Sequence, residues 1–271
     1  MEQNEKKGDR AKMKQDRKGN SPEAIIKVEN LHKYYRNKKE NNHVLRGVNF
    51  EVEKGSIFCL LGSNGAGKTT AVNILTTLGK PDEGRVLING YDLVSQADYV
   101  RASISLTGQY AATDEMLTGR ENLQLIADLR RVKKGKEETA RLLKVFRLED
   151  AADKAVASYS GGMRRRIDIA MTLMGNSPII FLDEPTTGLD PQNRLAMWDL
   201  IRDMAACGTT IFLTTQYLEE ADQLADQIAV LHEGRIIAQG SPEELKRERF
   251  CEITNSLPSL EDVFLDLIGE K

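Results

Sequence analysis

The chain has 271 residues, which is enough for one or two domains of ordinary size. Hydrophobic residues make up 40% of it and charged residues 29%, as in ordinary globular proteins. Basic and acidic residues number 38 and 41, and the resulting net charge of -3 does not favour affinity gained by neutralising a nucleic-acid backbone. We therefore expect no direct nucleic-acid partner.

Three features predict a cytoplasmic protein. Unbroken apolar runs, such as residues 57–61, are much shorter than the ~20 residues that a membrane span needs. The N-terminus is too charged for a secretory signal. Cys59, Cys207 and Cys251 have no paired spacing, which indicates a reducing compartment without structural zinc.

The ends of the chain differ in composition from its middle. Residues 1–22 contain no aromatic or β-branched residue, and we expect a disordered tail there. This tail has seven basic and four acidic residues. Contact with anionic lipid or RNA is therefore an open alternative, although a solvated tail is favoured. We place the folded domain at residues 23–245, with a helical insertion at about 110–175, and a C-terminal extension at 246–271.

Strand and helix patterns alternate along the predicted domain. Apolar residues alternate around Val48, Phe50 and Val52, which predicts an antiparallel sheet at the start. A buried-strand pattern at 56–61 leads through a glycine-rich turn to a helical pattern, and strands return after the insertion. Together these patterns predict an α/β fold with a parallel core. Further predicted elements are a turn and strand at 81–90, strands at 178–184 and 209–215, a hairpin at 227–240 turning at Glu233 and Gly234, and an amphipathic helix in 257–271.

The glycine-rich turn fits the pattern G-x-x-x-x-G-K-[ST], placed between a strand and a helix. Its glycines let the backbone wrap around a polyphosphate, and the helix that follows adds its positive end. Lys68 is predicted to reach the β- and γ-phosphates, and Thr69 to ligate Mg²⁺. The predicted nucleotide-binding residues here are Gly62, Ser63, Asn64, Gly65, Ala66, Gly67, Lys68, Thr69 and Thr70.

Two adjacent acids, Asp183 and Glu184, end a later apolar strand. Open α/β sheets place ligands at the carboxyl ends of their strands. We expect Asp183 to hold Mg²⁺ and Glu184 to act as the general base that polarises the attacking water. Taken alone, the pair could simply end a strand; beside a phosphate loop, the catalytic interpretation is favoured. These two motifs predict a P-loop NTPase.

A third motif narrows the class. Ser160, Gly161 and Gly162 precede a basic helical segment, 23 residues before Asp183 counted from the serine. A serine and two glycines at a helix N-terminus can expose hydroxyl and N–H donors to a second anion. In this position the chain resembles the ATP-binding-cassette (ABC) family, whose signature is usually Leu-Ser-Gly-Gly-Gln. The neighbouring arginines, residues 164–166, are expected to form a solvated helix face.

The resemblance covers residues 25 to about 240 and implies an ABC ATPase core with an antiparallel β subdomain and a helical insertion. It assigns Gln109 to the loop that touches Mg²⁺ or water and senses the transmembrane partner. Tyr35 matches the aromatic residue that stacks on adenine, with Tyr34 as the alternative. Asp190 matches the loop that crosses the dimer interface. The implied cofactors are ATP and Mg²⁺.

One position departs from the family pattern. Most members have a histidine after the strand that corresponds to residues 209–215, where this chain has Gln216. An amide can hydrogen-bond a γ-phosphate or the attacking water, but it cannot become cationic as imidazole can. Hydrolysis could therefore be slower or differently organised. Together with Tyr159 and Met163 around the signature and with the segment SLEDVFLDL at 259–267, Gln216 makes the chain similar to the daunorubicin-resistance type of ATP-binding subunit.

The resemblance implies an ATPase that energises export of a drug or other hydrophobic compound. Two copies related by a two-fold axis would form two composite ATP sites, each capped by the signature of the other copy. The permease would be a separate integral membrane protein, with this subunit peripheral on the inner face of the membrane. Two alternatives stay open at this point: a soluble non-transport ABC ATPase, and an ATP-dependent switch with weak hydrolysis.

Overall fold

The computed structural model describes residues 23–36, 41–107, 113–175, 177–247 and 258–269. The predicted N-terminal tail, Gln109 and Cys251 lie outside these ranges. Within them, no helix combines the length and the apolar character needed to span a membrane.

A four-stranded antiparallel sheet opens the domain, as the alternating pattern predicts. Its strand order is β2-β1-β4-β5. Ile26, Val28, Phe50 and Val52 are buried in the hydrophobic core beneath this sheet. The strands are β1 (Ala24–Arg36), β2 (Asn41–Glu53), β4 (Glu83–Ile88) and β5 (Tyr91–Asp92).

The second sheet is the core of the domain. Its order is β10-β9-β3-β8-β7-β6, and the pairs β9/β3, β3/β8, β8/β7 and β7/β6 are parallel. Every residue of β3, β7 and β8 is buried, because helices and the first sheet cover both faces. The strands are β3 (Ile57–Leu61), β6 (Ile104–Thr107), β7 (Ile179–Asp183), β8 (Thr210–Thr215), β9 (Gln227–His232) and β10 (Arg235–Gly240).

Aromatic rings fill the space between the two sheets. The ring centroid of Phe212 lies 5.3 Å from that of Phe58 and 5.1 Å from that of Phe181. Phe50 of the first sheet stacks on Phe58 at 5.0 Å. These contacts bury large apolar area and hold the first sheet against the core sheet.

Helices connect the core strands, and a helical insertion lies between β6 and β7. Thr118 caps the first insertion helix and exchanges hydrogen bonds with Glu121 in a capping box. Tyr159, shortly before the last helix of the insertion, has a buried ring whose hydroxyl donates to the Ala151 carbonyl at 2.6 Å. The helices up to this point are α1 (Lys68–Leu75), α2 (Ala97–Ser103), α3 (Gly119–Leu129), α4 (Gly135–Val145) and α5 (Gly161–Leu173).

The C-terminal part packs against the domain. Leu245, Leu260 and Val263 are buried in the same core cluster as the helical insertion, which agrees with the predicted packing of the amphipathic helix. The proposed domain boundary at 245/246 falls inside one of these helices. They are α6 (Pro191–Ala206), α7 (Leu218–Leu224), α8 (Pro242–Arg247) and α9 (Leu260–Ile268).

Candidate nucleotide-binding and hydrolytic site

The predicted phosphate loop lies between β3 and α1. A Cβ at Gly62 would meet the Leu231 carbonyl oxygen at 2.4 Å, so only glycine fits there. Gly67 has a left-handed backbone, with φ of 112°, and directly precedes α1. Ser63, Asn64 and Gly65 are exposed, so the loop presents its outer surface to solvent.

Lys68 begins α1 with a buried side chain that bends back over the loop. Its Nζ donates to the carbonyl oxygens of Gly62 at 2.8 Å and Ser63 at 3.2 Å. The same nitrogen lies 3.3 Å from Glu184 Oε1. The fold therefore joins the two predicted motifs through an ion pair between residues far apart in sequence.

Hydrogen bonds to the neighbouring strand β8 fix Asp183 and Glu184, the acidic pair at the end of β7. The Thr214 hydroxyl donates to Asp183 Oδ1 at 2.5 Å, and both residues are buried. The Glu184 N–H donates to the Thr214 carbonyl and hydroxyl oxygens, each at 3.1 Å. Glu184 has φ of 48°, a conformation that costs free energy in a residue with a Cβ and that concentrates at functional sites. Thr214 belongs to no recognised motif, and the sequence patterns did not predict it as a site residue.

Gln216 follows β8, which pairs with β3 on one side and β7 on the other. Parallel strands end at the same edge, so the phosphate loop, Glu184 and Gln216 share that edge. The Gly62 N–H donates to the Thr215 carbonyl at 3.2 Å, directly before Gln216. The side chain of Gln216 is half-buried.

The signature turn caps α5. Ser160 Oγ accepts from the Met163 N–H at 3.3 Å, and Ser160 itself is exposed. A Cβ at Gly161 would meet open space, whereas a Cβ at Gly162 would lie 2.4 Å from Asn193 Oδ1. The two glycines thus have different surroundings: one faces solvent and the other packs against α6.

Asp190 begins α6 as its N-cap. Its Oδ1 accepts from the Asn193 N–H at 3.0 Å, and its Oδ2 accepts from Asn193 Nδ2 at 2.5 Å. These hydrogen bonds hold the pKa of Asp190 below its usual value, since they favour the carboxylate. Asn193 therefore contacts both Gly162 of the signature and Asp190, whose loop is predicted to cross the dimer interface.

Tyr35 and Tyr34 lie at the end of β1 and have different partners. Tyr34 stacks on His43 with centroids 4.1 Å apart, and His43 in turn contacts His32 through ring nitrogens 3.0 Å apart. Tyr35 is 46% exposed, with Lys33 Nζ 5.5 Å from its ring centroid. Because the ring of Tyr34 is already stacked, Tyr35 has the freer face for a base.

Arg164 is 40% exposed, as expected of a solvated face, but Arg165 and Arg166 differ from that expectation. Arg165 is 14% exposed and donates to the Pro185 carbonyl at 3.0 Å and the Asp183 carbonyl at 3.3 Å. Arg166 donates to the carbonyls of Gly162 and Phe146. The expectation was wrong because these guanidinium groups satisfy carbonyl oxygens where α5 meets the loop after β7 and the insertion. Charge counting alone does not show which way a side chain points.

Comparisons with known proteins agree with this geometry. Residues 45–187 match the model of the ABC transporter family. A daunorubicin resistance ATP-binding protein of Streptomyces coeruleorubidus is 48% identical over 228 residues, covering 83% of this chain and 71% of that protein. A daunorubicin/doxorubicin resistance ATP-binding protein of Streptomyces peucetius is 46% identical over 227 residues, covering 83% and 68%. A dimeric ATP-binding cassette, solved in a post-hydrolysis state with ADP and Pi, has a TM-score of 0.72 at 27% identity, covering 80% of this chain and 98% of that one.

The phosphate loop, the paired acidic strand end and the inserted helices define an ABC-type ATPase. The chain belongs to the ABC transporter family, as an ATP-binding subunit that hydrolyses ATP to ADP and phosphate. The predicted family and fold class are confirmed, and the relatives favour a transporter subunit over a non-transport ATPase. The assignment of roles to single site residues stays a prediction.

Proposed function

We propose that this subunit energises export of a drug or another hydrophobic compound through a separate integral membrane permease. Support comes from the two relatives above, both described as resistance proteins that bind ATP. In this proposal, the subunit lies on the inner face of the membrane and delivers force by closing and opening a dimer.

The ion pair between Lys68 and Glu184 is the observation on which the hydrolytic site depends. It places the predicted phosphate-binding cation and the predicted general base within 3.3 Å of each other. A γ-phosphate bound by Lys68 would therefore have Glu184 beside it to polarise the attacking water. Gln216, at the same sheet edge, would hydrogen-bond the phosphate or that water.

We expect Mg²⁺ to bind beside this ion pair. Asp183 offers a carboxylate and Thr69 a hydroxyl, and hard oxygen ligands are those that Mg²⁺ prefers. Gln109, assigned to the metal by the family resemblance, lies outside the described residues. The bound ion would neutralise charge on the β- and γ-phosphates. Thr214 would then serve to fix the Asp183 carboxylate by its hydrogen bond.

The signature turn supports a composite site. Ser160 and Gly161 are exposed at the N-terminus of α5, where a hydroxyl, N–H groups and the helix dipole can bind an anion. We infer that they bind the γ-phosphate held by a second copy, so that ATP closes a homodimer and hydrolysis releases it. A ligand shifts such an equilibrium only by its differential affinity for the two states, and the γ-phosphate supplies that difference.

A crosslink between copies tests the composite site. We expect the double variant Ser160→Cys with Ser63→Cys, in a Cys207→Ser, Cys251→Ser, Glu184→Gln background, to form a disulfide-linked dimer with ATP and Mg²⁺. The dimer band on a non-reducing gel should be absent with ADP, because ADP lacks the bridging phosphate.

Two controls accompany this experiment. Variants with only one of the two introduced cysteines should give no dimer band on the non-reducing gel, and neither should Ser160→Cys paired with Ser95→Cys, whose cysteine lies outside the phosphate loop. If the Ser160→Cys, Ser63→Cys protein stays monomeric with ATP while it still binds the nucleotide, the composite site is wrong.

Co-purification tests the proposed partner. We expect the tagged full chain, expressed in its own cells and purified from detergent-solubilised membranes, to retain an integral membrane protein with several apolar helices. Mass spectrometry of the eluate identifies that protein, and an untagged strain is the control. Recovery of the subunit without any integral membrane protein would count against a permease.

A further inference from the structure

Glu220 is an acidic residue in a fully buried position outside the motifs. It lies in the first turn of α7, four residues after Gln216, and its solvent exposure is 0%. Within the described part of the chain, no lysine or arginine forms an ion pair with it. Arg194 is close enough to lower the pKa of Glu220 by its charge, but a buried carboxyl group without a direct ion pair still costs free energy, so its presence calls for a physical reason.

One oxygen of Glu220 connects three elements around the hydrolytic site. Oε1 accepts a hydrogen bond from the Thr186 hydroxyl at 2.8 Å and another from Trp198 Nε1 at 3.1 Å. Thr186 lies two residues after Glu184, and Trp198 belongs to α6, which begins after Asp190. Both partners are 2% exposed, so the hydrogen bonds are shielded from water.

The surroundings of Glu220 stabilise its neutral form more than water does. Burial raises the pKa of Glu220 above its usual value, although hydrogen bonds from Thr215, Thr186 and Trp198 and the positive charge of Arg194 oppose that shift. Glutamine is therefore the closest substitute, since its amide oxygen can accept from the same two donors.

We propose that Glu220 is a positioning residue for ATP hydrolysis, which fixes the loop bearing Glu184 relative to the turn bearing Gln216. This inference rests on the proposed roles of Glu184 and Gln216. Its hydrogen-bond partners are Thr186, Trp198 and Thr215, and none of these three belongs to the phosphate loop. Loss of the carboxyl group should therefore change the hydrolytic step and leave ATP binding nearly intact.

Steady-state kinetics of the full chain test the proposal. We expect Glu220→Ala to lower kcat at least tenfold while KM for ATP stays within threefold, and Glu220→Gln to restore kcat to within threefold of the unmodified protein. Thr186→Val, which removes one of the two donors at nearly constant volume, should lower kcat in the same way. The matched control is Glu219→Gln, one residue away on α7 with a side chain 68% exposed, and it should leave both constants unchanged.

Thermal unfolding separates a positioning role from a purely structural one. If Glu220→Ala and Thr186→Val melt at lower temperature but hydrolyse ATP at the unmodified rate, the proposal is wrong. If Glu220→Ala does not fold, Thr186→Val and Trp198→Phe decide, because each removes one hydrogen bond. Glu184→Gln is measured in parallel: a kcat for that variant within threefold of the unmodified protein contradicts the proposed role of Glu184, whereas its strongly reduced kcat beside normal Thr186→Val kinetics overturns this inference alone.

Discussion

Replacing Glu184 by glutamine is expected to reduce ATP hydrolysis by a factor of about 10²–10⁴, the usual contribution of a general base. The amide keeps the size of the side chain but cannot take a proton from water. ATP binding should stay equal or become tighter, because a negative charge 3.3 Å from Lys68 Nζ is removed from the phosphate site. Phosphate release measures the rate, and fluorescence titration with a nucleotide analogue measures the affinity.

The control for this change is Glu51→Gln. That side chain is 62% exposed on the first sheet and pairs with Lys27, so its loss should leave kcat and affinity unchanged. A kcat for Glu184→Gln within threefold of the unmodified protein would show that another group activates the water. The crosslinking experiment uses the same Glu184→Gln change, because slow hydrolysis keeps ATP bound long enough to trap the closed dimer.

Lys68→Met is expected to weaken ATP binding by at least about a hundredfold. The ammonium group of Lys68 lies along the phosphate loop, where it donates hydrogen bonds to the carbonyl oxygens of Gly62 and Ser63. Hydrogen bonds to charged groups contribute about 1.5–3 kcal/mol each, and two such bonds to phosphates correspond to a loss of about 10²–10⁴ in affinity. Methionine fills the same space without the charge. Equilibrium titration with a fluorescent ATP analogue gives the dissociation constant.

A surface lysine provides the comparison. Lys54 has a side chain 61% exposed, and Lys54→Met should bind ATP as tightly as the unmodified protein. Circular dichroism should show that Lys68→Met keeps its secondary structure, since few contacts beyond the loop and Glu184 are lost. ATP affinity within fivefold of normal in a folded Lys68→Met protein would contradict the predicted role of the phosphate loop.

Local sequence patterns predicted the elements of the site well. The glycine-rich turn, the apolar strand ending in Asp183 and Glu184, and the hairpin turning at Glu233 and Gly234 are all present in the structure. These features depend on neighbouring residues: strand periodicity, helix caps and left-handed glycines are properties of a few consecutive positions.

Other residues of the site could not be predicted from local sequence patterns. Thr214, Arg165 and Glu220 carry no recognised motif, yet each contacts the acidic strand end or the loop that follows it. A buried glutamate within the sequence LEEAD is indistinguishable from its exposed neighbour Glu219 by composition. Its burial depends on Thr186 and Trp198, which are distant in sequence.

The sequence by itself determined the α/β class, the phosphate loop, the acidic pair and the family signature, because each is encoded in a short stretch of chain. Only the tertiary structure decided that β3, β8 and β7 are neighbours, and hence that Lys68, Gln216 and Glu184 share one sheet edge. Strand order follows from long-range burial of apolar surface, to which many distant residues contribute together, and no local pattern specifies it.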